Sequence, residues 1–185
     1  MKLVILDRDG VISVDSPQFI KSPAEWEPLP GSLDAIARLN QAGYHVAVAT
    51  NQSGIGRGMF DMATLAAIHT KMHRAVAHAG GRIDAVFYCP HAATTECSCR
   101  KPKPGMLLAI GERFQCSLAG VWAVGDSPRD LQAAYAAGAQ PVLVSTGNGA
   151  STLAAGNLPP RTRTFEDLEA VSRALVSPSH RAEGV

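Results

Sequence analysis

The chain has 185 residues, enough for one domain with a loop insertion or two. With 46% hydrophobic residues and a formal charge of +1, it suits a globular core and carries no basic run that would track a nucleic acid. No stretch approaches the roughly 20 apolar residues of a membrane helix, and the acidic residues after Leu6 interrupt anything like a signal peptide. A cytoplasmic monomer with no membrane or nucleic-acid partner is therefore expected, with residues 1–176 as one domain and 177–185 as a flexible tail.

The predicted elements alternate between strand and helix. Lys2 to Leu6 is a short apolar run that ends at two aspartates, as a buried strand does when it delivers residues to a site. Ser13 to Pro30 holds four prolines and reads as a loop. Gly31 to Ala42 has Leu33, Ile36, Ala37 and Leu39 at helical spacing, and Gly43 stops it. Tyr44 to Ala49 is a second strand, followed by Thr50-Asn51-Gln52-Ser53 and the glycine-rich run Gly54 to Gly58. Asp61 is the expected N-cap of a long helix to Ala79, with Leu65, Ile68, Met72 and Val76 on one face and Gly80-Gly81 ending it. Further strands are expected at Ile83–Tyr88, Val121–Val124 and Pro141–Val144, and further helices at Met106–Phe114, Leu131–Ala137 and Glu166–Leu175. Nearly uniform apolar strands alternating with helices predict an α/β fold, a central parallel sheet covered on both faces. Such sheets bind ligands beyond the carboxyl ends of their strands. Asp7, Asp9, Thr50, Asn51, Cys89 and Asp126 all fall at that edge.

Two carboxylates at a frayed strand end, Asp7 and Asp9, suit a nucleophile with a metal or a nucleophile with a general acid. Asp9-Gly10 also reads as a turn. Asp126, in Gly125-Asp126-Ser127-Pro128-Arg129-Asp130, adds a third carboxylate at the same edge, although it is equally placed to cap the following helix. A carboxylate cluster repels itself, and a hard divalent cation such as Mg²⁺ resolves the repulsion. Thr50 can donate its hydroxyl to phosphate oxygens. Arg100-Lys101 in a proline-braced loop offers positive charge for a transferring phosphoryl group, where a solvated basic loop is the bland alternative.

The ordered set Asp7-x-Asp9-Gly10, a strand ending in Thr50, Lys101, and Gly125-Asp126-x-x-x-Asp130 resembles the haloacid dehalogenase-like phosphatases from residue 2 to about 145. The resemblance implies a Rossmann-like sheet and phosphomonoester hydrolysis. It implies Asp7 as the nucleophile that becomes an aspartyl phosphate, and Asp9 as the general acid and then base. Mg²⁺ would sit on the carboxylates of Asp7 and Asp126 and the backbone carbonyl of Asp9, with Asp130 a further candidate. Thr50 and Lys101 would hold phosphoryl oxygens, with Arg100 a competitor for that place.

Cys89-x-His91-x5-Cys97-x-Cys99 supplies three thiolates and an imidazole in one loop, the ligand set of a closed structural Zn²⁺ site, at tighter spacing than a zinc finger. A redox pair would appear as Cys-x-x-Cys, which is absent. The zinc is expected to staple the loop that carries Arg100 and Lys101. Within the family, this loop resembles a subgroup acting either on a sugar bisphosphate or on an amino-alcohol phosphate. Thr50 to Gly58 looks more like the former, because Arg57 can pair bidentately with a second phosphate. Asn51, Ser53, Arg57 and Arg100 are thus expected at a small phosphorylated sugar. Residues 10–49 leave no room for a large cap domain.

Other signals are set aside. His69 and His73 lack an acidic partner and read as a solvated or partly packed helix face. Asn148, Ser151 and Thr152 fall in an apparent polar loop without chemistry, Trp26 and Trp122 in packing positions, and Cys116 in a partly buried one. A phosphoacceptor signalling domain shares the strand-end aspartate and lysine, but accounts for neither Asp9 nor the cysteine loop.

Overall fold

Apolar runs that alternate sides can be buried on both faces only if they pair inside a sheet. In the computed structural model, which describes residues 1–177, the five expected strands do so. They are β1 (Lys2–Leu6), β2 (Tyr44–Asn51), β3 (Ala85–Cys89), β4 (Trp122–Gly125) and β5 (Gln140–Val144), joined by a sixth, β6 (Arg163–Phe165). The order is β3-β2-β1-β4-β5-β6, and every pair is parallel. Of the tail expected at 177–185, all but Ser177 lies outside the described residues.

The helices are α1 (Ser32–Gln41), α2 (Ser53–Gly56), α3 (Met62–His78), α4 (Gly105–Phe114), α5 (Pro128–Ala136), α6 (Gly149–Ala155) and α7 (Leu168–Val176). Alternation along the strands builds two cores. Val4, Leu6, Val46 and Val48 point to one face, where Ile36 and Leu39 of α1, Ile68 and Met72 of α3, and Val171 of α7 cover them. Leu3, Ile5, Ala47 and Ala49 point to the other, under Met106 and Ile110 of α4 and Ala133 of α5. Each fully buried Ile or Leu contributes roughly 2 kcal/mol of apolar transfer. Trp26 and Trp122 are buried in the first core, as their packing reading requires.

Asp61 caps α3 as expected, its carboxylate accepting from the Thr64 N–H at 2.8 Å. Between β1 and α1 the chain forms only a loop with one short 3₁₀ turn at Pro23–Glu25, so no cap domain stands there. Three local features differ from expectation. Strand β3 starts at Ala85 rather than Ile83. The glycine-rich run after Ser53 makes one helical turn. The segment with Ser151 and Thr152 is helix α6, not loop.

The chain lays down β1, β2 and β3 in one direction and then returns to place β4 on the other side of β1. That reversal opens a crevice between the carboxyl ends of β1 and β4. Asp7 and Asp9 follow the first strand, and Asp126 follows the second.

Candidate active site

The crevice is a cavity of about 710 Å³, and its wall brings the expected residues together. Asp7, Asp9, Thr50, Asn51, Ser53, Arg57, Arg100, Lys101 and Asp126 all line it. Asp130 lies behind them, buried.

Asp7 is fixed by its own backbone, whose N–H donates to the Val124 carbonyl at 2.9 Å and so ties β1 to β4. Its Oδ1 accepts from the Arg8 N–H at 2.7 Å and lies 3.0 Å from Lys101 Nζ. Burial, with Asp130, Asp9 and Asp126 nearby, pushes the Asp7 carboxyl up to about 8 against the pull of Lys101. Burial likewise raises Asp126 to about 6, although Asn148 donates to it. Carboxyls this reluctant to ionise mark a place built for a compensating charge.

Lys101 is the resident charge. It is only 3% exposed, donates to the Ala49 carbonyl at 2.7 Å and lies 2.6 Å from Asp130 Oδ1. Burial would lower its pKa, but Asp130 and Asp7 hold it above the ordinary lysine value. Burial also disfavours the Asp130 anion, yet Lys101, with Ser127 and Arg129, brings Asp130 below the usual carboxylate value. Ser127, not Asp126, caps α5, donating to Asp130 Oδ2 through its N–H at 3.0 Å and through its hydroxyl. Asp126 is therefore free of capping duty. One carboxylate oxygen from each of Asp7, Asp126 and Asp130 lies within 4.8 Å of the others, a group able to hold a cation.

Asp9 lines the same cavity but is held by a different set of partners. Arg8, wholly buried, spans its two oxygens through Nε and Nη2, both at 2.9 Å. Gln52 Nε2 donates to Asp9 Oδ2 at 3.1 Å and to Thr50 Oγ1 at 2.9 Å, and the Ser13 hydroxyl donates to Asp9 Oδ1 at 3.2 Å. Arg8 Nη1 also lies 3.4 Å from His69 Nε2. Burial and the arginine charge push His69 down to about 4, so it is neutral near pH 7. Sequence reasoning missed Arg8 and Gln52. An arginine between two aspartates reads as a surface charge, and only the turn after β1 swings it inward.

Arg100 and Lys101 separate cleanly. Lys101 reaches Asp7, whereas Arg100 Nη1 points to the His91 carbonyl at 3.4 Å and borders the cavity. Asn51 is committed to the lysine loop: its Oδ1 accepts from the Lys101 N–H and its Nδ2 donates to the Lys101 carbonyl, both at 3.1 Å. Arg57, at the rim, lies 5.5 Å above the Phe19 ring.

The cysteine loop closes as a second cluster, with Cys89, His91, Cys97 and Cys99 grouped so that they could hold one metal ion. Cys89 Sγ is 3.8 Å from Cys97 Sγ and 3.5 Å from His91 Nδ1, and Cys99 Sγ is 3.4 Å from the same nitrogen. Burial pushes the Cys89 thiol up to about 12, so its thiolate needs a cation. The loop braces the active-site edge, since the Cys89 carbonyl accepts from the Gln52 N–H at 2.8 Å.

The sheet order, the switch-point crevice and the buried acid–lysine pair define a phosphotransfer-type α/β hydrolase, and the chain belongs to the haloacid dehalogenase-like phosphatases. Residues 98–171 match the family described as HAD-hydrolase-like, and residues 2–130 match that described as polynucleotide kinase 3 phosphatase. Among its relatives, the D-glycero-beta-D-manno-heptose-1,7-bisphosphate 7-phosphatase of Bordetella bronchiseptica is 62% identical across 95% of this chain and 98% of its own. The enzyme so named from Pseudomonas putida is 57% identical across 95% of this chain and 100% of its own. The crystal structure of D,D-heptose 1,7-bisphosphate phosphatase from B. bronchiseptica, complexed with magnesium and phosphate, superposes with a TM-score of 0.94, covering 95% of this chain and 98% of that one.

Proposed function

We propose that this protein hydrolyses the 7-phosphate of D-glycero-β-D-manno-heptose 1,7-bisphosphate in the cytoplasm, on the route to lipopolysaccharide heptose. The observation that carries the reading is Asp7 at the floor of the cavity, beside Lys101 and Asp126, with Arg57 and Arg100 at its border. The named relatives, 62% and 57% identical over nearly the whole chain, support the substrate.

Asp7 attacks phosphorus, and the bond to the sugar oxygen breaks as Asp9 delivers a proton to it. The phosphoryl group is then an acyl phosphate on Asp7. Asp9 next takes a proton from water, which attacks phosphorus and frees Asp7. Thr50 and the Lys101 ammonium hold the phosphoryl oxygens throughout. The oxygen-rich acid cluster fits Mg²⁺: the carboxylates of Asp7 and Asp126 and the Asp9 carbonyl would hold it, with Asp130 acting chiefly through Lys101. When bound, Mg²⁺ offsets the charge of the phosphoryl group and of the acids.

The cysteine loop fits Zn²⁺. A tetrahedral ion with Zn–S near 2.3 Å and Zn–N near 2.0 Å sets sulfur–sulfur edges of about 3.8 Å and sulfur–nitrogen edges of about 3.5 Å. The separations of 3.8, 3.5 and 3.4 Å agree with those edges. Cys89, His91, Cys97 and Cys99 would fill all four positions, so the ion would be structural and would order the chain leading to Lys101.

Phosphate release with Mg²⁺ from a panel of heptose 1,7-bisphosphate, fructose 1,6-bisphosphate and histidinol phosphate tests the reading. The heptose bisphosphate is expected to lead in kcat/KM. Arg57→Ala should raise its KM roughly tenfold, the worth of one charge-assisted pair. Preference for histidinol phosphate, or an unchanged KM in Arg57→Ala, would overturn the substrate assignment.

A further inference from the structure

The loop after β5 carries no residue that the family motifs use, yet it grips the acidic crevice at several points. The Asn148 backbone N–H donates to Asp126 Oδ2 at 2.8 Å, and its side-chain Nδ2 donates to the same oxygen at 3.2 Å. Nδ2 also donates to Asp15 Oδ2 at 2.9 Å, on the Ser13 to Pro30 loop that walls the cavity. On either side, the Thr146 hydroxyl donates to the Gly10 carbonyl at 2.7 Å and the Thr152 hydroxyl to the Asp126 carbonyl at 2.8 Å. Thus one seven-residue stretch ties together the turns after β1 and β4.

The approach is close enough to demand glycine. A Cβ on Gly147, at φ +58°, would overlap Asp126 Oδ2 and press on Gly10 Cα. A Cβ on Gly10, at φ +82°, would overlap the same carboxylate oxygen. Asp126 is 2% exposed and cannot turn away into solvent.

A carboxylate held at one oxygen by two N–H donors cannot rotate freely, which leaves its other oxygen as the one available to a cation. We propose that Asn148 is a positioning residue of the cation site, saturating Asp126 Oδ2 so that Oδ1 is presented to Mg²⁺ and linking that carboxylate through Asp15 to the loop that walls the cavity. This rests on the Mg²⁺ reading given above. Partners that orient a metal-binding carboxylate typically govern metal affinity by ten- to a hundredfold. The exposed Asp15 bond steers the amide and adds little energy of its own.

Calorimetric titration of Mg²⁺ into the full chain, without substrate, tests it. Asn148→Ala keeps the backbone donor and loses Nδ2, and should raise the Mg²⁺ Kd about tenfold. Its melting temperature in chelator should fall by no more than a few degrees, and its kcat should recover as Mg²⁺ is raised, which a misfolded site would not do. Asp126→Ala is the control that removes a ligand outright and should abolish binding. A Kd for Asn148→Ala equal to wild type would overturn the positioning role while leaving the Mg²⁺ reading intact. If wild type itself bound no Mg²⁺, both would fall.

Discussion

Asp7→Asn is expected to lower kcat at least about 10⁴-fold, as removal of a covalent nucleophile does, while the protein stays folded. The amide keeps an oxygen for the Arg8 N–H and for Lys101, so the crevice has no reason to collapse. Its thermal behaviour should differ in one informative way. The folded Asp7 carboxyl is raised from 3.8 to about 8, so between those values the folded state holds a proton that the unfolded state has lost. Stability in chelator must then fall as pH rises through that window. Asp126, raised to about 6, acts in the same sense. Asp7→Asn removes the larger contribution and should flatten the dependence. Melting curves at several pH values check this. Residual activity above a few per cent in the purified variant would contradict the nucleophile assignment.

Loss of the zinc site should be the next largest effect. Elemental analysis of protein purified without chelator is expected to find about one zinc per chain. Cys99→Ser removes a ligand two residues before Lys101 and should leave most chains without the ion. With the loop unpinned, the tie between Asn51 and the Lys101 backbone loosens and the ammonium no longer lies 3.0 Å from Asp7. Phosphate release should fall at least tenfold. The melting temperature should drop by about 5–10 °C, corresponding to a few kcal/mol in a chain of this size. Full activity in zinc-free protein would contradict the staple.

Much of the fold and site is legible in the sequence, for physical reasons. A parallel strand buried on both faces must be uniformly apolar, so Lys2–Leu6, Tyr44–Ala49 and Val121–Val124 stand out. Their chemistry follows at once in sequence, because crossover connections begin at the carboxyl edge. The four residues of the cysteine loop that could hold a metal lie within eleven residues and need no fold to be recognised.

The features that the sequence does not display have no local signature. Strand β6 is three residues at the sheet edge, and Arg163 and Thr164 are exposed, so no apolar run marks it. Helix α6 is built from Gly, Ala, Ser, Thr and Leu and shows no broad apolar stripe. Asn148 matters because of Asp126, 22 residues earlier, and His69 because of Arg8, 61 residues earlier. Neither spacing repeats in any pattern that a sequence displays. Of the two readings of His69, solvated or partly packed, the structure has the second, and its neighbour is the arginine that grips Asp9.

The Asp7 site is expected to remove the phosphate at position 7 of a heptose bisphosphate. Phosphorus NMR of the Mg²⁺-supported reaction on D-glycero-β-D-manno-heptose 1,7-bisphosphate tests it most directly. The 7-phosphate resonance should disappear as inorganic phosphate grows, while the anomeric 1-phosphate persists. Loss of the anomeric phosphate first, or no change in either resonance, would contradict it.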